Sequence, residues 1–463
     1  MKRIVLFVIA LIISLGMCSC VDETEITTTN NISAITTSLT EQLSTNLTES
    51  NAMTTTEPLT TIFSESTISS FTSTTTEESL TVSLAFDSQG GSVVETITGE
   101  PGEPLSEPAA PTKEGYVFAG WYDSPSALTP FVFGVMPTSN TTLYADWATE
   151  GLTFTLIDEN QAYEVGGQDL IGLELTDVAI PKRHQGLLVK AIASGGFTNY
   201  EYLLDIRMPA GIEAIGNNAF NGCDDLHSVY LPDNLETIGA GAFLLCPSLT
   251  TIEISPSNQA FVVVDDVLFT KDMQKLVLYP AGSTSTSYEI GSTVKEIGYG
   301  AFSYCYFLES VTISNSVETI GERAFYWSAN IASIVIPNSV TSVGIYAFSD
   351  CYGLESVTIG TGIDTISAYM FNWCNDLSSV IIPANITTIG YGAFSDCHEL
   401  MSVYIERPYS PGDSIFGASF MFNNTNSLLS IYMPDLDTVN YYKTEATGGW
   451  VSFRSRITLA PTE

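Results

Sequence analysis

The chain has 463 residues, of which 52 are acidic and 15 are basic, so its formal net charge is -37. A protein this acidic is a poor candidate for nucleic-acid binding, because phosphate contacts need a cationic face and the only basic cluster beyond the N-terminus is Lys182 with Arg183. Three histidines leave little material for a histidine-based metal or acid–base site, and the length leaves room for two or three folded units.

The N-terminus has the pattern of a secretion signal in residues 1–20. Two basic residues precede an apolar run from Ile4 to Leu15, which is too short for a membrane-spanning helix of about 20 residues. The L-G-M-C-S-C that follows resembles a lipoprotein signal, in which the cysteine after the cleavage site is acylated. The small Ser19 favours Cys20 over Cys18, so we predict lipidation at Cys20. An ordinary cleaved signal peptide is the alternative.

Residues 21–80 differ abruptly in composition from the rest of the chain. Nearly half of this segment is Ser or Thr, its charged side chains are all acidic, and it holds no Lys or Arg. Such a segment buries too little apolar surface to offset the entropy lost on ordering, so it is predicted to be a disordered tether. A stalk carrying sugars on its hydroxyl groups is the alternative to a plain spacer.

Residues 81–148 form a second unit with short strand and turn patterns. V-S-L-A-F begins at Val82, P-T-K-E-G-Y-V-F-A-G-W-Y begins at Pro111, and L-Y-A-D-W ends at Trp147. This sequence is similar to the internalin-type B-repeat, or Listeria-Bacteroides repeat, which implies a small β-grasp-like domain between an anchor and adhesive modules. In so small a unit Trp121, Tyr122 and Trp147 are expected to fill the core rather than to bind a ligand.

One pattern, V-x-x-I-G-x-x-A-F-x-x-C-x-x-L-x-x-V-x-I, dominates residues 193–435. Its phenylalanines recur at a constant step at Phe302, Phe325, Phe348, Phe371 and Phe394, and Phe220 and Phe243 keep the same step. A fixed period of this length is typical of a solenoid, in which each unit buries its apolar face by stacking on its neighbours. The V-x-I part predicts a short strand, and the glycine allows a bend into a return segment. We therefore predict a mostly β fold.

The repeat is modified at three places. Residues 149–192 alternate without the A-F signature and are predicted to cap the first coil. The interval from Phe243 to Phe302 is longer than two repeats, so residues 255–292 are predicted to form an elongated coil with a hairpin. Phe420 and Leu428 are predicted to build the last coil, and residues 436–463 the C-terminal cap.

The repeat reads almost unbroken as I-G-x-x-A-F-x-x-C-x-x-L-x-x-V-x-I-P from Ile215 to Pro232 and, with Ser328 in place of cysteine, from Ile320 to Pro337. It resembles the leucine-rich repeats of the BspA-type family of bacterial surface proteins over roughly residues 180–435. That resemblance implies a curved, right-handed solenoid and a role in adhesion or protein binding rather than catalysis.

Six cysteines share one position of the repeat and would form a column along the solenoid. They are too far apart in the sequence for a CxxC metal or redox motif. Parallel side chains in adjacent coils also argue against disulfides, so we predict buried free thiols. The six are Cys223, Cys246, Cys305, Cys351, Cys374 and Cys397.

The outward positions of the V-x-I strands are the first candidate binding surface. One column is mainly hydroxyl side chains and the next is mixed aromatic and aliphatic, with little charge. The candidate binding residues are Ser228, Tyr230, Glu253, Ser310, Thr312, Val335, Ser356, Thr358, Ile381 and Tyr404. The alternative is that short hydroxyls simply suit a crowded sheet.

A rival surface follows the A-F pair and is rich in aromatic residues. Its candidate residues are Tyr304, Tyr306, Tyr326, Trp327 and Trp373, with Phe307 and Tyr352 nearby. Exposed aromatics in this number suggest contact with a partner, although some are expected to pack between coils.

No catalytic motif, metal motif or cofactor motif is present in the sequence. His398 and Glu399 lack the second histidine of a zinc helix, and acidic pairs such as Asp224 and Asp225 are expected to be solvated turns. An enzyme with an unfamiliar site would need an acidic cleft beside the elongated coil.

The combined prediction is an extracytoplasmic, lipid-anchored protein of a bacterial cell surface. Its solenoid would capture a protein or glycan on a host cell, a matrix or a neighbouring surface, with membrane contact through the lipid only. The alternative is a structural envelope protein without a dedicated ligand.

Overall fold

The computed structural model of the chain describes residues 81–170, 172–408, 416–417 and 420–461. The signal peptide at 1–20, lipidation at Cys20 and the tether at 21–80 are predictions that lie outside these residues. Within the described ranges the fold is mostly β, and no helix there is long and apolar enough to cross a bilayer.

The first unit is a four-stranded sheet with the order β2-β1-β4-β3. Its strands are β1 (Val82–Asp87), β2 (Ile97–Gly99), β3 (Tyr116–Tyr122) and β4 (Thr141–Thr149). Strands β1 and β4 are parallel and the other pairs are antiparallel. Trp121, Tyr122 and Trp147 are buried, so the prediction that these aromatics fill a core is confirmed.

The remaining strands form the solenoid and its ends. A hairpin and a parallel pair start it with β5 (Thr153–Ile157), β6 (Ala162–Gly166), β7 (Arg183–His184) and β8 (Leu187–Ile192). The coils then contribute β9 (Asp205–Arg207), β10 (Ala214–Ile215), β11 (Ser228–Leu231), β12 (Thr237–Ile238), β13 (Thr251–Ile254), β14 (Phe261–Val264), β15 (Val267–Thr270), β16 (Lys275–Leu278), β17 (Ser287–Glu289), β18 (Glu296–Ile297), β19 (Ser310–Thr312) and β20 (Thr319–Ile320). The second half contains β21 (Ser333–Ile336), β22 (Ser342–Val343), β23 (Ser356–Ile359), β24 (Thr365–Ile366), β25 (Ser379–Ile382), β26 (Thr388–Ile389), β27 (Ser402–Ile405), β28 (Phe416–Gly417), β29 (Ser430–Met433) and β30 (Ile457–Leu459).

Each coil gives one strand to each of two sets of parallel sheets. The longer V-x-I strands pair as β9-β11-β13, β17-β19-β21-β23 and β25-β27-β29, and β30 extends the last of these sheets. The shorter return strands pair, for example, as β16-β18-β20-β22. Because the repeat length is constant, equivalent residues are in register, as in the pairing of Ser310 with Ser333 and of Ser333 with Ser356. The prediction of a mostly β solenoid of about 23-residue coils is confirmed.

The core lies between the two sets of strands and is built from stacked phenylalanines. Leu308, Val311 and Ile313 point inward, as their spacing predicts. Phe325, Phe348 and Phe371 have no exposed surface, and their ring centroids are 5.1 and 5.5 Å apart. Each ring therefore packs on the rings of both neighbouring coils, which joins the coils into one core.

The elongated coil contains a hairpin, as the interrupted register predicts. Strands β14 and β15 are antiparallel, and β15 continues the return sheet through β16. Phe261 and Leu268 pack into the core of the coils before the hairpin, whereas Val267 and Phe269 pack into the core of the coils after it. Tyr279 takes the place of the repeat phenylalanine, 5.2 Å from Phe302. The hairpin thus separates two cores.

The last coil has a different register from the one the sequence suggested. Phe422, not Phe420, stacks on Phe394 at 5.5 Å, and Leu429, not Leu428, is buried. The assignment from the sequence was wrong because the step from Phe394 to its stacking partner is longer than one repeat, so the regular period no longer identifies the core position. After this coil come α1 (Leu436–Thr444), a 3₁₀ segment (Gly448–Arg456) and β30.

A buried ion pair joins the first unit to the start of the solenoid. The Lys182 Nζ lies 3.6 Å from Asp146 Oδ1 and 3.9 Å from the centre of the Tyr122 ring. The Lys182 amide also donates to Asp146 Oδ2 at 2.9 Å, and Arg183 Nε donates to the Leu128 carbonyl at 2.9 Å. The basic pair noted in the sequence therefore makes internal contacts between the two folded parts.

Candidate functional site

The strand face, defined as the outward positions of the V-x-I strands, is a continuous surface within each sheet. Most inward residues of these strands are buried, while Thr312 and Thr358 are exposed and Val335 and Ile381 are 58% and 54% exposed. All ten predicted strand-face residues lie at outward positions of the V-x-I strands, because alternate residues of a strand point to opposite sides of the sheet. Three of them are only half-exposed there, namely Ser228, Tyr230 and Tyr404.

The strand face divides into two halves of different chemistry. Before β19 its outward residues include Asp205, Arg207, Glu253 and Glu289, which we call the charged half. From β19 to β29 the outward positions carry no charge, and we call them the neutral half. These positions are Ser310, Thr312, Ser333, Val335, Ser356, Thr358, Ser379, Ile381, Ser402, Tyr404, Ser430 and Tyr432.

The charged half leads into a cleft of about 450 Å³ beside the first unit. The Arg207 guanidinium lies 4.2 Å from the centre of the Tyr230 ring and 3.9 Å from a carboxylate oxygen of Glu253. Arg207 and Tyr230 line the cleft together with Trp147 of the first unit. A ligand on the charged half would thus contact both folded parts, a feature that the sequence alone did not indicate.

The turn face, defined as the residues from two before to four after each repeat phenylalanine, has an unusual backbone. The residue two positions after the phenylalanine has a positive φ in nine coils. Five of these are residues that tolerate this conformation, namely Asn199, Gly222, Asp350, Asp396 and Asn424. The other four are bulkier: Leu245, Tyr304, Trp327 and Trp373.

The structure brings most of the predicted aromatic residues of the turn face together. The rings of Tyr304 and Trp327 stack at 5.5 Å, and the Tyr326 and Tyr306 rings meet Tyr304 at 5.9 and 5.8 Å. Trp373 lies two coils beyond Trp327, is 40% exposed and has the His398 ring as a neighbour. The turn face is therefore a row of rings rather than a single patch.

The cysteine column has a structural explanation in the hydrogen bonds between coils. The thiol of Cys351 donates to the carbonyl of Phe325 at 3.2 Å, and Cys374 does the same to Phe348 at 3.2 Å. Ser328 donates to the Phe302 carbonyl in the same way, which explains why serine fits this position. The equivalent bond to the phenylalanine of the preceding coil is made by Cys223, Cys246 and Cys397.

We expect these thiols to be inert in the folded protein. Burial raises the pKa of Cys223 and of Cys397 to about 12, and it raises the pKa of the other four as well. Since the thiolate is the nucleophile, alkylation by iodoacetamide at neutral pH should be negligible until the chain unfolds. Peptide mapping by mass spectrometry after native and denatured labelling would measure this.

The matched control for labelling is a Thr358→Cys variant, which places a thiol on the exposed strand face. It should react rapidly in the folded protein while the six native thiols stay unmodified. Labelling of a native cysteine as fast as this probe, or a disulfide between two of the six, would contradict the prediction.

The described residues offer little for metal binding. They contain no group of three His, Cys, Asp or Glu side chains able to hold a metal ion. The acidic pairs Asp224 with Asp225 and Asp265 with Asp266 lie at turns. A cleft of about 150 Å³ beside the elongated coil is lined mainly by small and apolar residues, with Lys275 among its polar side chains.

Two family models match the chain. The model described as BspA type leucine rich repeat region matches residues 172–273, 281–401 and 318–446, which together exceed half of the chain. The Listeria-Bacteroides repeat domain model matches residues 83–146. The two matches cover the solenoid and the first unit respectively.

Individual relatives match only part of their own length. Internalin H of Listeria monocytogenes is 38% identical over 89 residues, which cover 19% of this chain and 14% of that protein. A putative Gly-rich membrane protein of Evansella cellulosilytica is 32% identical over 104 residues, which cover 22% of this chain and 12% of that protein. This chain thus spans well under two thirds of either relative.

Solved structures of leucine-rich repeat proteins also resemble this chain. One, from Eubacterium ventriosum, is 20% identical with a TM-score of 0.43, covering 60% of this chain and 94% of that one. The pneumococcal vaccine antigen PcpA is 21% identical with a TM-score of 0.40, covering 60% of this chain and 71% of that one.

Proposed function

Because this chain belongs to the BspA-type leucine-rich repeat family, we propose that it captures a protein partner through the strand face of its solenoid. The BspA-type and internalin-like repeat families are families of cell-surface proteins, and leucine-rich repeat proteins generally bind proteins. The partner in this proposal is a protein on a host cell, in a matrix or on a neighbouring surface. The interaction is non-covalent.

The neutral half of the strand face is the observation that carries this proposal. In a chain with a net charge of -37, the outward positions of six successive strands hold only hydroxyl, aliphatic and tyrosine side chains. Val335 and Ile381 are more than half exposed at its centre. Depletion of charge at the centre of a surface, with aliphatic and aromatic residues in its place, is typical of the core of a protein interface.

The proposed membrane anchor of the chain and the proposed presentation of its solenoid follow the domain organisation inferred from the sequence. In this proposal residues 1–20 direct export, Cys20 carries the lipid, and residues 21–80 are a tether. Residues 81–148 are a spacer domain, and residues 193–435 present the binding surface between caps at 149–192 and 436–463. Stable anchoring would need more than one acyl chain.

Binding of the full chain to a panel of purified matrix proteins and to epithelial cells would test the strand face. Replacing both Val335 and Ile381 with lysine should weaken binding about tenfold or more, because each ammonium group would have to be desolvated at the interface. Surface plasmon resonance or a cell-binding assay gives the affinity, and circular dichroism checks that the variant is folded.

The matched control is Ile345→Lys together with Val264→Lys, at positions exposed by 41% and 39% outside the neutral half. These changes add the same charge and should leave binding intact. Equal loss in both double variants would exclude a specific site on the strand face. Absence of binding to every surface would instead favour a structural envelope protein without a dedicated ligand.

A further inference from the structure

One constellation occurs twice on the turn face, at an interval of two repeats. The first triad is Trp327, Asp350 and Tyr352, and the second triad is Trp373, Asp396 and His398. The tryptophan ring lies 5.3 Å from the Tyr352 ring in the first triad and 5.5 Å from the His398 ring in the second. Since the register of the coils is constant here, the two triads occupy equivalent positions two coils apart, although the Trp327 ring also stacks on Tyr304 at 5.5 Å.

Polar groups in both triads are held in place by hydrogen bonds rather than by ion pairs. Asp350 accepts hydrogen bonds from the Tyr352 hydroxyl at 3.2 Å and from Ser349 Oγ at 2.6 Å. Asp396 accepts from Asn424 Nδ2 at 2.9 Å. In the described part of the chain no Lys or Arg forms a salt bridge with either triad.

Both tryptophans are held in a backbone conformation that is costly for them. The φ angles of Trp327 and Trp373 are 61° and 58°, in the left-handed region. Hydrogen bonds from the Trp327 amide to the Ser349 carbonyl at 3.1 Å and from the Trp373 amide to the Ser395 carbonyl at 2.9 Å fix this geometry. Asn424 occupies the same position with less strain. Leu245 and Tyr304 have the same conformation, so it is imposed by the coil, and asparagine at either tryptophan position would relieve its cost.

We propose that the two triads bind successive disaccharide units of a neutral polysaccharide. Indole rings pack against the C–H faces of pyranose rings, and the Tyr352 hydroxyl, the Asp396 carboxylate and the His398 imidazole can bond sugar hydroxyls. A neutral chain fits because an anionic one would approach a protein of net charge -37 without a cation in either triad to meet it. This site is separate from the strand face.

The spacing of the coils supports a polymer rather than a single sugar. Adjacent coils in this region are 5.1 and 5.5 Å apart at their phenylalanine rings. That spacing is close to the length of one pyranose in an extended β-linked chain, so two coils match one disaccharide. A polymer that occupies both triads would bind more tightly than one that occupies a single triad, because the second triad binds a chain that is already held by the first.

Affinity electrophoresis of the full chain in gels containing a mixed-linkage β-glucan or a galactomannan, both with β-linked pyranose backbones, would test the proposal. At least one of these should retard the protein. Trp327→Asn and Trp373→Asn should each weaken binding about tenfold or more, and the double variant should not be retarded. Tyr202→Ala removes a ring that is 41% exposed outside the turn face and should behave as the parent protein.

Thermal unfolding of the same asparagine variants separates binding from packing. Because asparagine tolerates positive φ, relief of backbone strain should offset part of the ring contacts that are lost, so the variants should stay folded at the temperature of the gel while losing polysaccharide binding. Two results would overturn the proposal: retardation that survives in the double variant, and no retardation in any gel that contains a neutral polysaccharide.

Discussion

Replacing Phe348 with alanine is expected to lower the free energy of unfolding by about 3–5 kcal/mol. The ring is fully buried and stacks on Phe325 at 5.1 Å and on Phe371 at 5.5 Å. Its loss removes buried apolar surface and leaves a cavity that touches three coils at once. Because the coils follow one backbone register, the neighbours have little freedom to collapse into that space. Urea denaturation followed by circular dichroism would measure the effect.

The control for Phe348 is the same change at Phe307, which is 50% exposed. Phe307→Ala should cost well under about 1 kcal/mol, since an exposed ring makes few contacts to lose. If the two variants had the same midpoint in urea, the stacked phenylalanines would not be the main support of the solenoid.

Replacing Lys182 with methionine is expected to destabilise the junction of the two folded parts by about 3–5 kcal/mol. The change leaves the buried Asp146 carboxylate without its cation, although the Lys182 amide still donates to it. Burial raises the pKa of Asp146, an effect that Lys182 partly offsets. Without Lys182 the pKa of Asp146 should rise further, so the loss should shrink as the pH falls from that higher pKa to the pKa in the parent protein, because the protonated carboxyl carries no charge.

The double variant Lys182→Met with Asp146→Asn tests whether the pair itself is stabilising. Burial lowers the pKa of Lys182 as it raises that of Asp146, so desolvation opposes both charges. Removing both should therefore recover most of the stability that the single variant loses. A double-mutant cycle from denaturation midpoints gives the coupling. If the Lys182→Met variant and the double variant lost the same free energy of unfolding, the cause would be poor packing of methionine at this position rather than an unpaired charge on Asp146.

The periodic part of the fold was predictable because one sequence position has the same role in every coil. Phe302 and Leu308 are buried, as are the residues at the same repeat positions in the next coil. The strand face follows from the alternation of inward and outward residues around the buried Val311. Where the period changes, that inference fails. Before Phe422 the step lengthens, and only the packing against Phe394 identifies the core ring.

Features that depend on a single contact could not be read from the repeat. The ion pair of Lys182 with Asp146 requires knowing which distant residues meet. The place of Tyr279 in the ring stack did have a signal, because Tyr279 lies one repeat step before Phe302, but a tyrosine stands there instead of phenylalanine. The positive φ of Trp327 and Trp373 had a signal in the sequence, since Asn, Gly and Asp occupy the same position in other coils.

The hairpin of β14 and β15 bears on how the protein would respond to a pulling force. A solenoid with an unbroken stack transmits load from coil to coil, whereas here the rings up to Phe243 and those from Tyr279 onward belong to different cores. Extension along the axis would therefore concentrate at the hairpin, where fewer ring contacts join neighbouring coils. The coils that carry the neutral half would stay folded while the boundary at the hairpin unfolds. A partner bound to the neutral half would therefore remain bound under shear.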